Sequence, residues 1–193
     1  MIKTTAMILE ELNNYASPAS KLSRMVKNGE YIKIVRGLYE TDPLTPGYLL
    51  AGSIYGPSYL SFEFALAYHG LIPEAVYTFT SATYDKKKKK KFETPFGTFT
   101  YRDVPRDAYP LGIEIVKESD YSFWIASPEK ALCDVLYTKV PVANHKELFS
   151  LLFDDMRIDE QEFGQLNYND ILILEERYHS TNVQKLSQLM RRI

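Results

Sequence analysis

The residues of this chain best suited to chemistry on a ligand are basic, and they gather in two places. Between Pro18 and Asn28 the polar positions are Ser20, Lys21, Ser23, Arg24, Lys27 and Asn28. Residues three and four apart on a helix are neighbours, so Lys21, Arg24 and Asn28 fall on one stripe. Arg and Asn can make two-pronged hydrogen bonds to guanine and adenine edges, while Ser and Lys suit phosphate oxygens. Lys33 and Arg36 follow on an expected hairpin, placed to contact the backbone or minor groove of DNA. The second place is a run of consecutive lysines: Lys86, Lys87, Lys88, Lys89, Lys90 and Lys91. Such a run would neutralise phosphates without sequence preference, and its affinity would fall steeply with salt. Both places also fit a plainer reading, as a solvated helix face and a mobile charged loop. The aromatics near the run (Tyr84, Phe92, Phe96, Phe99 and Tyr101) suit base stacking. The alternation of Phe99 and Tyr101 more simply marks the core face of a strand.

Catalytic and metal-binding side chains are not spaced to act together. His69, His145 and His179 stand far from one another and from Cys133 in sequence, outside metal-ligand spacing. His69 precedes Gly70 at an expected helix end, where a cation suits the helix dipole. Cys133 is the one cysteine, so no disulfide forms within the chain, and its apolar neighbours Leu132, Val135 and Leu136 mark it as a buried, inert thiol. Glu129, Lys130 and Asp134 resemble a catalytic trio, but Glu129 and Asp134 do not share a helix face. Glu129 suits the first turn of a helix, and Lys130 with Asp134 makes an i,i+4 ion pair. Neither a Gly-rich phosphate loop nor a nucleophile elbow is present. The expectation is a protein that is not an enzyme and needs no cofactor or metal. A phosphodiester-cleaving enzyme is a third reading, without a carboxylate–lysine motif behind it.

The basic stripe needs helices and a hairpin to hold it. Met7, Ile8, Leu12 and Tyr15 give residues 4–15 a helical period. Ser17 can cap a second helix, and Pro18 suits its first turn because its missing N–H would have no partner there. Ala19, Leu22, Met25 and Val26 form the inward face of that helix, and Gly29 ends it. Tyr31–Val35 alternates as a strand, Arg36-Gly37 turns, and Leu38–Glu40 returns. Asp42-Pro43-Leu44-Thr45-Pro46 then divides a head, residues 1–42, from a body, residues 43–193. In the body, helices are expected from Thr45 to Tyr55 and from Ser61 to His69. Strands are expected over Ala75–Ser81, Thr98–Val104, Ile113–Lys117 and Tyr121–Ile125, and Ser127-Pro128 opens a helix to about Tyr137. Short helices should start near Asp159, Asn169 and Asn182. The fold class is α+β: a short N-terminal winged helix, a body with a mixed or antiparallel sheet, and a helical C-terminal tail.

Three segments carry a family resemblance. Leu22-Ser23-Arg24-Met25-Val26-Lys27-Asn28-Gly29-Glu30-Tyr31-Ile32-Lys33-Ile34-Val35-Arg36-Gly37-Leu38-Tyr39 has a reader helix, a Lys/Arg-x-Gly turn and a strand ending in Arg-Gly-hydrophobic-Tyr. The second runs from Tyr59 to Pro73, through Phe62-Glu63-Phe64-Ala65-Leu66-Ala67-Tyr68-His69-Gly70. The third is Ala126-Ser127-Pro128-Glu129-Lys130-Ala131-Leu132-Cys133-Asp134. In order and spacing they resemble AbiE-type antitoxins of type IV toxin–antitoxin systems. That resemblance implies a transcriptional regulator that binds double-stranded operator DNA. It also implies a functional partner, an AbiEii-like nucleotidyltransferase toxin, counteracted without a stable complex. The chain departs from the family in having one helix, not two, before the reader, and in a tail after residue 140 without a family motif. An alternative is an RNA- or protein-binding module whose head no longer reads DNA.

Composition agrees with a folded, polar-surfaced protein. The 193 residues are 45% hydrophobic and 13% aromatic, enough for a sizeable core. The net charge is only −2, but the first 40 residues are mildly basic and the last 50 or so acidic. That asymmetry suits a localised polyanion contact at the head. No apolar signal core follows Met1-Ile2-Lys3-Thr4-Thr5, and no stretch nears the roughly 20 apolar residues of a membrane span. A cytoplasmic protein without membrane contact is expected.

Overall fold

The computed structural model describes residues 1–191. At the N-terminus, β1 (Lys3–Thr4) leads directly into α1 (Thr5–Glu11). The Thr4 hydroxyl caps α1 by accepting from the Met7 amide at 3.3 Å. Next come α2 (Pro18–Lys27), β2 (Ile32–Val35) and β3 (Leu38–Glu40). The backbone reverses at Gly29 and Gly37, whose φ angles of +78° and +83° disfavour a side chain. The head sheet has the antiparallel order β1-β3-β2, and β1 was not foreseen from the sequence. A two-residue strand is too short to show a period.

The body begins with a 3₁₀ turn, Gly47–Leu50, and the short α3 (Ala51–Ile54). One continuous helix over Thr45–Tyr55 does not form. A Cβ on Gly47 would lie 2.3 Å from both the Phe79 ring and the Phe96 carbonyl oxygen, so the backbone itself presses on the sheet. Then follow β4 (Tyr59–Leu60), α4 (Phe62–Tyr68), β5 (Thr78–Thr83), β6 (Lys90–Thr94) and β7 (Gly97–Asp103). The hairpin β8 (Ile113–Glu118) and β9 (Tyr121–Ala126) precedes the long α5 (Pro128–Thr138). The tail holds α6 (His145–Phe149), a π-type turn over Ser150–Asp155, α7 (Glu160–Phe163), α8 (Tyr168–Tyr178) and α9 (Thr181–Met190).

The body sheet has the order β6-β7-β5-β4-β9-β8. It is mixed: β5 runs parallel to β7 and β4 to β9, and the other neighbours are antiparallel. The fold class is therefore α+β, with a mixed sheet and C-terminal helices. The expected strand at Ala75–Ser81 starts later, at Thr78. Helix α5 is the centre of the core, packing on α4, α8, α9 and β9, and Ala131, Leu132, Cys133, Val135 and Leu136 are all buried. A helix apolar around its whole circumference is a core helix.

The head does not stand apart from the body. Ile34 and Leu38 belong to the same buried cluster as the body sheet, while Ile8, Leu12, Leu22 and Tyr31 form a smaller one of their own. Glu40 is the polar clasp between them. Its carboxylate accepts from the Tyr121 hydroxyl at 2.7 Å, from the amides of Thr41 and Asp42 at 2.7 and 3.0 Å, and from the Met1 ammonium. Burial pushes this carboxyl up, but the combined hydrogen bonds outweigh burial and hold it below its ordinary value of 4.5. A carboxyl held low in the folded chain stabilises it above the unfolded value and loses that contribution as pH falls through the folded one. Glu40→Gln should thus be less stable than wild type at neutral pH, and the gap should narrow below about pH 4. Urea denaturation at the two pH values measures this. An equal gap at both would show that the carboxylate does not hold the head.

Candidate nucleic-acid interface

Helix α2 is positioned by its apolar side. Leu22 is buried, and Met25 and Val26 pack with Ile8, Leu12 and Tyr31. Ala19, expected on this inward face, is exposed: α1 ends at Glu11, and Leu12, its C-cap, is the last residue before α2 that joins the cluster. The opposite side presents Ser20, Ser23, Arg24, Lys27 and Asn28 to solvent, with Lys21 half-buried and its ammonium 5.3 Å from the Tyr15 ring. The Ser20 hydroxyl accepts from Ser17 at 2.9 Å, and the Asn28 amide donates weakly to Glu30 at 3.4 Å. Lys33 is exposed on β2 and Arg36 on the turn before β3. Seven of the expected head residues are thus exposed and one is half-buried, on one helix and the adjoining hairpin.

The charge balance of the head sharpens this surface. Lys3 is bound to Glu11 at 2.7 Å, and that hydrogen bond raises its pKa despite some desolvation. Glu40 is consumed by the clasp. Among the described residues, Lys21, Arg24, Lys27, Lys33 and Arg36 form no ion pair, and only Glu10, Glu30 and Asp42 remain as acids of the head without an ion pair. Arg24 and Lys27 also lie in the last turn of α2, where they favour the helix dipole.

The lysine run is not a single loop. Lys90 and Lys91 open β6 and pair with Tyr101 and Thr100, and Lys91 bridges Glu93 at 2.6 Å. The Lys86 ammonium donates to the Gly56 carbonyl at 3.1 Å, and the Lys87 amide donates to Asp103 at 2.6 Å. Lys88 and Lys89 are exposed. Lysine on an edge strand also discourages pairing with another sheet. The run is not brought beside the head at the clasp. Strand β6 and strand β9, which carries Tyr121, are four positions apart in the sheet, about 19 Å at the usual strand spacing. Of the neighbouring aromatics, Phe99 and Tyr101 are core residues, as their alternation implied.

No protein-family model matches the chain, and no curated protein matches it.

Glu129 lies in the first turn of α5 and Lys130 pairs with Asp134, the helix roles expected of them. Glu129 caps the chain before α8, accepting from the Asn167 amide at 2.8 Å. Lys130 and Asp134 do pair, at 3.3 Å, but both are fully buried. Asp134 also accepts from the Ser61 hydroxyl at 2.5 Å, the Tyr59 hydroxyl at 3.1 Å and the Tyr178 hydroxyl. The signal for this network was present: a Lys and an Asp inside a helix that is apolar on every side. His69 likewise has a structural role, its Nε2–H donating to the Ala126 carbonyl at 2.8 Å. The Cys133 thiol is pushed up by burial above all, as expected of an inert core cysteine. Among the described residues no helix is long and apolar enough to cross a membrane.

Proposed function

We propose that the chain is a DNA-binding transcriptional regulator whose head acts as a short winged helix, with α2 as the reader and the β2–β3 hairpin as the wing. The observation that carries this reading is the set of unpaired cations on α2 and the hairpin, interleaved with Ser20, Ser23 and Asn28. Cations without acidic partners are free to displace counterions from phosphates, and Arg and Asn beside them can address base edges. The β1-β3-β2 sheet gives the hairpin a third strand and ties it to the body through Glu40. The resemblance of residues 22–39, 59–73 and 126–134 to AbiE-type antitoxins supports the same reading and extends it. On that basis the regulator counteracts a nucleotidyltransferase-like toxin without forming a stable complex with it. No catalytic step is required.

The test is a gel shift with the DNA upstream of the gene, against random duplex and RNA competitors. Lys21→Ala, Arg24→Ala and Arg36→Ala should each weaken operator binding by about 1–3 kcal/mol without unfolding the chain. All three variants binding like wild type would remove the head as reader. Competition by RNA at lower concentration than by operator DNA would turn the reading toward an RNA-binding module. Rescue of growth when the chain is co-expressed with a nucleotidyltransferase-like toxin encoded beside it tests the antitoxin role separately.

A further inference from the structure

The body sheet contains a gap that the head reading leaves unused. Strand β4 is two residues long and meets β9 at one register position, Leu60 opposite Ile125. Its neighbours continue past it: β5 runs on to Thr83, just before Tyr84, and β9 reaches back through Trp124 to Tyr121. Over Ser122–Trp124, β9 therefore has a strand partner only on its β8 side. The place of the missing strand is a cleft of about 470 Å³, within the range of small-molecule sites.

The lining of the cleft is aromatic and hydroxylic. Tyr84 and Tyr109 pack at 4.4 Å between ring centroids and form one wall, with Tyr109 backed by Tyr59 at 5.1 Å. Trp124, 52% exposed, belongs to the strand on the other side. Ser58 lies on the floor, and its buried hydroxyl has no hydrogen-bond partner among the described residues. A buried unsatisfied hydroxyl is costly, and a ligand atom is one way to satisfy it. Two residues beyond Tyr84, the Lys86 ammonium is held by the Gly56 carbonyl at 3.1 Å and by the Tyr55 ring at 5.2 Å. Gly56 is itself two residues before Ser58, so both chain segments entering the cleft converge on this cation. Lys87, Lys88 and Lys89 are exposed and lead on toward β7 and β6, the Lys87 amide donating to Asp103 at 2.6 Å.

We propose that this cleft binds a nucleobase that carries a phosphate, the base lying against the aromatic walls and the phosphate at Lys86, at the edge of the cleft. Aromatic side chains stack on any base, and the unpaired backbone of β9 and the Ser58 hydroxyl offer hydrogen bonds to its edge. Lys86 supplies the charge that the aromatic slot lacks. The site is separate from the α2 face and does not depend on operator binding. Its ligand is a free nucleotide or one base of a single strand, which share this chemistry.

The chain has one tryptophan, and it lines the cleft, so its fluorescence reports on the site directly. The full-length protein is titrated with AMP, with a ten-nucleotide oligouridine and with ribose 5-phosphate. Saturable quenching by AMP or the oligouridine, and none by ribose 5-phosphate, is the expected result. Equal or tighter binding of AMP identifies a free nucleotide as the source. At least tenfold tighter, salt-sensitive binding of the oligouridine identifies a single strand. Tyr84→Ala should weaken binding about 5- to 150-fold, the usual range for losing one stacked base. Replacing Lys86–Lys89 by Gln leaves the core untouched and should weaken binding too, while Arg24→Ala should change nothing here. The proposal is overturned by absence of saturable quenching with both AMP and the oligouridine, by equal quenching with ribose 5-phosphate, or by wild-type affinity in the lysine variant.

Discussion

Asp134→Leu is expected to destabilise the protein by about 3–5 kcal/mol, the usual cost of removing one partner from a buried ion pair. Asp134 is the acceptor on which four donors converge: Tyr178 and Lys130 at one oxygen, Tyr59 and Ser61 at the other. Burial is the main reason that both tyrosine hydroxyls are held well above their ordinary value, with Asp134 pushing the same way, so they remain donors. Burial also lowers the Lys130 pKa, and the Asp134 charge opposes that shift. Leucine would leave the Lys130 ammonium with the Ala108 carbonyl, at 2.9 Å, and the Tyr178 hydroxyl, and no counter-charge. It would also orphan Ser61 and Tyr59. The reverse change, Lys130→Met, leaves the carboxylate with three hydroxyl donors and should cost less. Asp134→Asn, which keeps an acceptor, should fall below Asp134→Leu as well. Urea denaturation of the three variants gives the ranking. An Asp134→Leu loss under about 1 kcal/mol, or a larger loss for Lys130→Met, would show that the carboxylate is not the hub.

Leu132→Asp should cost more than about 4 kcal/mol and leave little folded protein. Leu132 has no exposed surface and lies on the helix that joins α4, α8 and α9 to β9. Burial pushes the neighbouring Cys133 thiol up, because a negative charge is poorly solvated in this part of the core. Leu132→Ala removes volume without charge and should cost about 2–5 kcal/mol, as buried leucines do. Circular-dichroism melts of both variants measure the difference. A soluble Leu132→Asp protein that melts cooperatively near the wild-type temperature would place α5 outside the core.

Elements announced by residues next to one another were legible in the sequence. Ser17-Pro18 and Gly29 bound α2, Ser127-Pro128 opens α5, Arg36-Gly37 turns the hairpin, and each acts within a helical turn of itself. The exposure of Arg24, Lys27, Lys33 and Arg36 followed from the same local pattern, because an apolar face dictates where the polar one must point. Strands β1 and β4 were not legible, since two residues carry no period and exist only through their partners. Nor was the pairing of β5 with β7, which sets two strands parallel with β6 between them in sequence. Tyr59 and Ser61 meet Asp134 across 75 and 73 residues of chain, and Tyr178 meets it across another 44. The sequence by itself determined the polar face of α2, the bounds of that helix and the start of α5. Tertiary structure alone decided that Lys130 and Asp134 are a buried hub, that the lysine run lies across the sheet from the clasp, and that a cleft opens beside β4. Those outcomes depend on strand order and register, which are set by packing between distant segments and leave no trace in the spacing of neighbouring residues.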